Sequence, residues 1–256
     1  MIIDSHAHFS KNSAVWVFDT STEACIEHMD RIGGDFFIQS LSSAFDGFPY
    51  DDYVPQCLRL YNESGGRILS YFVYDPNFAD ATREMIKAHH SDPAFVGIKI
   101  HPSDHKVMAD DERYRIAWEL AYKYGLPLMS HSWTLTANPK QKYATPDKFE
   151  KYITEYKNVK FIFGHSGGRT AGIKEVVSIG KKNKNVYFDL AGDIYNRGLI
   201  EYLAENAGAG HVLLASDVNW FDLSVQIGMV LGAELPTEDK KLILGGNAAE
   251  IFGIKC

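Results

Sequence analysis

Eight short β-rich runs alternate with amphipathic helical stretches along this chain, near 2–6, 34–39, 67–73, 95–100, 127–131, 159–164, 185–190 and 211–216. Such alternation implies parallel strands, because each intervening helix returns the chain to the same end of a sheet. At 256 residues the chain has the usual length of a closed (β/α)8 barrel. No Pro-, Gly- or Ser-rich linker divides it, so residues 1–256 read as one α/β domain. The competing open sheet would carry a Gly-rich nucleotide turn such as GxGxxG after strand one, and none is there. The expected fold is a single-domain TIM barrel.

Local signals agree with this division. Thr145-Pro146 offers an N-cap followed by a proline suited to a first turn, and Asp75 or Asn77 offers a cap for the segment running to His90. Gly125 stands where a left-handed residue would end the helix before strand five. Apolar residues make up 45% of the chain and charged residues 23%, enough for a sizeable core.

Composition narrows the partners. The net charge is −7 and no stripe of Lys or Arg appears, which argues against nucleic acid; a small-molecule substrate is the expected partner. Cys25, Cys57 and Cys256 lie far apart with no CxxC spacing, so neither a disulfide framework nor a cysteine zinc site is indicated. Met1 runs straight into a strand, with no basic n-region or long apolar segment. A cytoplasmic protein without a membrane span is expected, and a homo-oligomer would be unsurprising.

In a barrel, reactive groups sit at the C-terminal ends of the strands. Strand one ends in Asp4-Ser5-His6-Ala7-His8, strand four in Lys99-Ile100-His101-Pro102, and strand five in Met129-Ser130-His131. Strand six ends in Gly164-His165-Ser166-Gly167-Gly168 and strand eight in Ala215-Ser216-Asp217. His6 and His8 share one face of their strand, about 6 to 7 Å apart, so both imidazoles can reach one metal ion. Asp217 has a second reading as N-cap of a helix near 221–232, and His165 as a buried histidine at a glycine-rich turn. Asp4 lies on the His6 face, deeper in the barrel, where it can orient neighbours by hydrogen bonds.

With these strand ends and the closing Leu244-Gly245-Gly246-Asn247-Ala248-Ala249-Glu250-Ile251-Phe252, the chain resembles the amidohydrolase superfamily over nearly its whole length. Within it the resemblance is to the amidohydrolase 2 family, which includes aminocarboxymuconate semialdehyde decarboxylase-like enzymes. The resemblance implies that His6, His8, His131 and Asp217 bind one divalent metal, most often zinc. It also implies that His165 polarises a carbonyl or shuttles a proton. Asp217 would take the proton of a metal-bound water as well as ligate.

Lys99 is open to two readings: an unmodified cation near substrate, or a carbamate bridging a second ion as in the related dihydroorotases. His101, Trp133 and Arg169 are substrate-binding candidates, with Arg169 able to clamp a carboxylate and Trp133 able to stack on an unsaturated substrate. Trp133 belongs to a long segment, 132–145, after strand five.

The leading expectation is a metal-dependent hydrolase of an amide, lactone or related carbonyl compound. The alternative is non-oxidative decarboxylation of an unsaturated or aromatic acid by the same site. A TatD-like nuclease is opposed by the charge and by Lys99 and His101 where those enzymes place a Glu. A non-catalytic barrel is opposed by the presence of every expected ligand.

Overall fold

The computed structural model describes residues 1–9, 21–46, 50–136 and 138–255. Eight strands form one parallel sheet in sequence order: β1 (Ile3–Ala7), β2 (Phe36–Gln39), β3 (Ile68–Val73), β4 (Phe95–Ile100), β5 (Leu128–His131), β6 (Phe161–Gly164), β7 (Val186–Asp189) and β8 (Val212–Leu213). The chain after β8 returns to β1, with Ser5 N–H donating to Leu214 O at 3.0 Å and Asp217 N–H to His6 O at 2.8 Å. These bonds close the expected barrel.

Strand periodicity sorts the side chains into two apolar layers. Phe37, Ile98, Leu128 and Phe161 point outward into a large cluster under the surrounding helices. Their neighbours Ile38, Met129 and Ile162 belong to a second cluster with Tyr71, Ile251 and Phe252. The C-terminal helix Asn247–Phe252 thus seals one end of the barrel, its Phe252 ring edge-on to Tyr71 at 5.8 Å. Function is left to the other end.

Helix boundaries follow capping chemistry, with corrections to the sequence reading. Gly125 does end the helix Arg115–Tyr124, at φ 66°. Asp75, not Asn77, supplies a side-chain cap, and it caps a short 3-10 turn, Pro76–Phe78, rather than the helix Ala79–His89. Thr145 precedes the turn Pro146–Phe149 without capping it, because its hydroxyl bonds the Asp147 carboxylate at 2.5 Å. The helix Leu223–Gly232 is capped by Asp222, whose carboxylate accepts from Ser224 N–H, so the N-cap reading of Asp217 fails.

Cys25 and Cys57 are buried, while Cys256 lies outside the described residues. Among the described residues, no helix is long and apolar enough to cross a membrane.

Candidate metal centre

The open end of the barrel gathers the histidines predicted from the strand ends. His6 gives a hydrogen bond from Nδ1–H to Asp189 Oδ2 at 2.8 Å, His8 from Nδ1–H to Ser40 O at 2.9 Å, and His165 from Nδ1–H to Ala191 O at 3.1 Å. Backbone carbonyls and an ionised carboxylate can only accept, so in each neutral ring the proton sits on Nδ1 and Nε2 keeps its lone pair. The Nε2 atoms of His6 and His8 are 3.1 Å apart, and Asp217 Oδ1 lies 3.2 Å from the second and 3.7 Å from the first. Lone pairs so crowded repel one another unless they share a proton or a cation. Ligand atoms of His6, His165 and Asp217 also fall within 4.8 Å of one another. Imidazole nitrogens with a carboxylate are a donor set that fits a divalent transition ion.

Electrostatics keeps His6 and Asp217 in ligand form. Burial, reinforced by the Lys99 charge, holds His6 well below the ordinary imidazole value and therefore neutral. Burial also pushes the Asp217 carboxyl up, but the imidazoles of His8, His165 and His6 around it outweigh that, so a proton entering the cluster goes to a ring rather than to the acid, which is held well below the usual carboxylate range. Burial lowers the Lys99 ammonium to about 8, against the attraction of Asp189 and Asp217.

The backbone here is unusual. His165 (φ 60°), Ser166 (φ 46°) and Asp217 (φ 69°) all occupy the left-handed region, which costs a non-glycine residue on the order of 1 kcal/mol or more. The β6 turn is held by Asp189, whose Oδ1 accepts His165 N–H at 2.6 Å and whose carbonyl accepts the Ser166 hydroxyl at 2.5 Å. Asp4, buried, accepts from His6 N–H at 3.0 Å and from the Ser216 backbone and hydroxyl, tying β1 to the segment that carries Asp217.

The other predicted residues take different positions. His131 Nε2 is 3.1 Å from Gln141 Oε1, and its ring stacks on His101 at 4.3 Å. His101 Nδ1 accepts from Asp104 N–H at 3.2 Å. Lys99 is buried beneath the cavity, its Nζ donating to His6 Nε2 at 2.7 Å and touching Met129 Sδ. Arg169 is engaged in a two-pronged pair with Asp193, at 3.0 and 2.6 Å, and lies over the Trp133 ring.

A cavity of about 360 Å³ opens above the cluster, with Phe45, Trp133, Trp220 and Phe221 among its walls. Of the cavity residues Phe45, Gln141 and Phe221 were not foreseen, nor was Asp189, buried behind the His6 ring. Asp189 had a signal: Val186-Tyr187-Phe188-Asp189 is another apolar run closed by an acid.

The amidohydrolase 2 family model, described as Amidohydrolase, matches residues 3–254. The chain belongs to this family. No curated protein matches this amidohydrolase 2 member. Among solved structures, 2,6-dihydroxybenzoate decarboxylase from Rhizobium is 16% identical, covering 99% of this chain and 98% of that one, with a TM-score of 0.74. Dihydroxybenzoic acid decarboxylase from Polaromonas sp., with bound manganese and 2-nitroresorcinol, is 16% identical over 99% and 97%, TM-score 0.73. The 5-carboxyvanillate decarboxylase from Novosphingobium aromaticivorans, complexed with manganese and 4-hydroxy-3-methoxy-5-nitrobenzoic acid, is 15% identical over 99% and 96%, TM-score 0.76. At these identities the likeness establishes a shared fold.

Proposed function

We propose that this amidohydrolase 2 member is a metal-dependent lyase that removes carbon dioxide from an aromatic or unsaturated carboxylic acid without an oxidant. The observation that carries the reading is the cavity, where planar walls meet a convergent set of imidazoles and a carboxylate. Flat apolar walls and a few fixed polar groups suit one planar ring bearing an acid. The shared fold with three decarboxylases of hydroxylated aromatic acids favours this over the amide or lactone hydrolysis expected first.

In this reading His6, His8, His131 and Asp217 would hold a divalent ion, His131 with the Nε2 that otherwise meets Gln141. When bound, the ion would bind the substrate carboxylate and draw electron density from the ring. Manganese, named with two of the similar structures, and zinc both suit imidazole and carboxylate donors.

His165 is the proton carrier. With Nδ1–H committed to Ala191 O, its Nε2 takes a proton from solvent and delivers it to the carbon that loses the carboxylate. The carbon–carbon bond breaks, its electron pair stays with the ring carbon, and the proton takes the place of the departing carbon dioxide. Asp217, ionised, accepts a hydrogen bond from a hydroxyl beside the carboxylate, while Trp133 flanks the ring. A cytoplasmic homo-oligomer completes the proposal, with exposed Val225 and Leu231 of the helix Leu223–Gly232 as apolar surface for a second copy, which sedimentation would reveal.

The deciding experiment supplies the Mn(II)-loaded enzyme with hydroxybenzoic acids, and separately with amides and lactones, in oxygen-18 water. One carbon dioxide per acid consumed, with no water oxygen in the aromatic product, is expected. Turnover confined to amides or lactones, with water oxygen in the acid formed, would return the chain to hydrolysis.

A further inference from the structure

Asp189, at the end of β7, is tied to two of the histidines at once, to one by its ring and to the other by its backbone. Its Oδ2 accepts His6 Nδ1–H at 2.8 Å, and its Oδ1 accepts the backbone N–H of His165 at 2.6 Å and of Ala191 at 3.1 Å. The Ala191 carbonyl in turn accepts His165 Nδ1–H. One buried carboxylate therefore orients His6 directly and His165 through its main chain and its hydrogen-bond acceptor.

At the opposite edge of the His6 ring, Lys99 Nζ stands 2.7 Å from Nε2. An ammonium has hydrogens and no lone pair, so His6 Nε2 must be bare to receive it. Two independent contacts, one on each ring nitrogen, specify the same tautomer. The same Nε2 lies 3.1 Å from His8 Nε2 and 3.7 Å from Asp217 Oδ1.

We infer that Asp189 is a positioning residue that fixes the Nδ1–H tautomer of His6, and with it the divalent-ion affinity of the site. The inference rests on the metal-binding part of the proposed function and is independent of the reaction catalysed. A carboxylate behind a ligating histidine fixes ring orientation and raises ligand basicity, and its loss costs about 10- to 100-fold in metal affinity.

Asp189→Asn separates this role from simple support. The amide oxygen can still accept from His165 and Ala191, but the amide N–H₂ then faces His6 Nδ1, which must become an acceptor and send its proton to Nε2. Nitrogen-15 NMR of the metal-free wild-type protein is expected to show His6 protonated at Nδ1, and of the variant, at Nε2. Titration with Mn(II), followed by the electron paramagnetic resonance of the free ion, is expected to show about 10- to 100-fold weaker binding in the variant.

Wild-type His6 protonated at Nε2, or unchanged Mn(II) affinity in a folded Asp189→Asn protein, overturns the inference. The wild-type tautomer is decisive even if the variant does not fold. Neither readout involves carbon dioxide, so failure of the decarboxylase reading would appear separately, as tight Mn(II) binding without turnover.

Discussion

On the β1 and β6 side of the cavity, His6, His8 and His165 each give Nδ1–H to an acceptor built into the barrel frame, whereas on the β4 and β5 side His101 and His131 engage the segments that follow their strands, His101 through the backbone N–H of Asp104 and His131 through the Gln141 side chain. The first three partners are a buried carboxylate and two backbone carbonyls. The others are the turn of Asp104 and the loop of Gln141. A carbonyl in a strand end has no rotamers to lose, so the first side is set when the barrel closes. The second side depends on how the segments after β4 and β5 settle, and each ordered side chain there costs up to about 2 kcal/mol of conformational entropy. One half of the site is thus preformed and the other adjustable.

The largest effect should come from striking the preformed half at its charge. Asp217→Asn removes the ionised oxygen that faces His8, and turnover should fall by about 10²- to 10⁴-fold, measured as carbon dioxide release from the best acid found. An Asn variant with full activity would remove Asp217 from the mechanism.

A geometric insult to the same half should rank second. Gly192 has φ 84°, and a Cβ there would come 2.8 Å from His165 Nδ1. Gly192→Ala should displace the imidazole, with a loss of turnover on the order of 10²-fold, while the same change at open Gly210 should do little. Equal activity of the two variants would show that the His165 position is not critical.

Acid should loosen the adjustable half. His105 lies in the turn Pro102–His105, buried, with Nδ1 2.8 Å from the Tyr114 hydroxyl, and burial lowers it from 6.5 to about 3. Between those values the unfolded chain binds a proton that the folded chain does not, so stability falls as pH falls. The slope is about 1.4 kcal/mol per pH unit, or roughly 2 kcal/mol between pH 6.5 and 5. Urea denaturation at several pH values should show this loss, reduced in His105→Asn. An identical acid dependence in the variant would place the sensitivity elsewhere.

The smallest effect is expected at Gln141. Gln141→Ala frees His131 Nε2 and the Ser103 hydroxyl, and it should change KM by a few-fold while leaving kcat near wild type. A drop in kcat comparable to that of Gly192→Ala would erase the distinction between the halves.

Much of the barrel was legible because its signals are periodic and local: each strand lies within a few residues of its expected place. The candidate site was legible where an apolar run ended in His or Asp, as at His6, His131, His165 and Asp217. Partners were not. That Asp222 would cap the following helix and free Asp217 depends on where the chain turns after β8. That Arg169 would meet Asp193, and Lys99 the His6 ring, depends on contacts between segments 24 and 93 positions apart. Gln141 was hidden for the same reason, since nothing near it in sequence marks it as the partner of a strand-five histidine.

Gly168 lies so close to the Trp133 indole that a Cβ there would run into the ring, and Thr134 N–H bonds Gly167 O at 2.8 Å while Arg169 covers the same indole. The segments after β5 and β6 therefore behave as one part in two pieces. A graft that exchanges residues 132–136 alone would leave a tryptophan-shaped gap or a clash above His165. Reshaping this mouth for another acid requires both segments to be transplanted together.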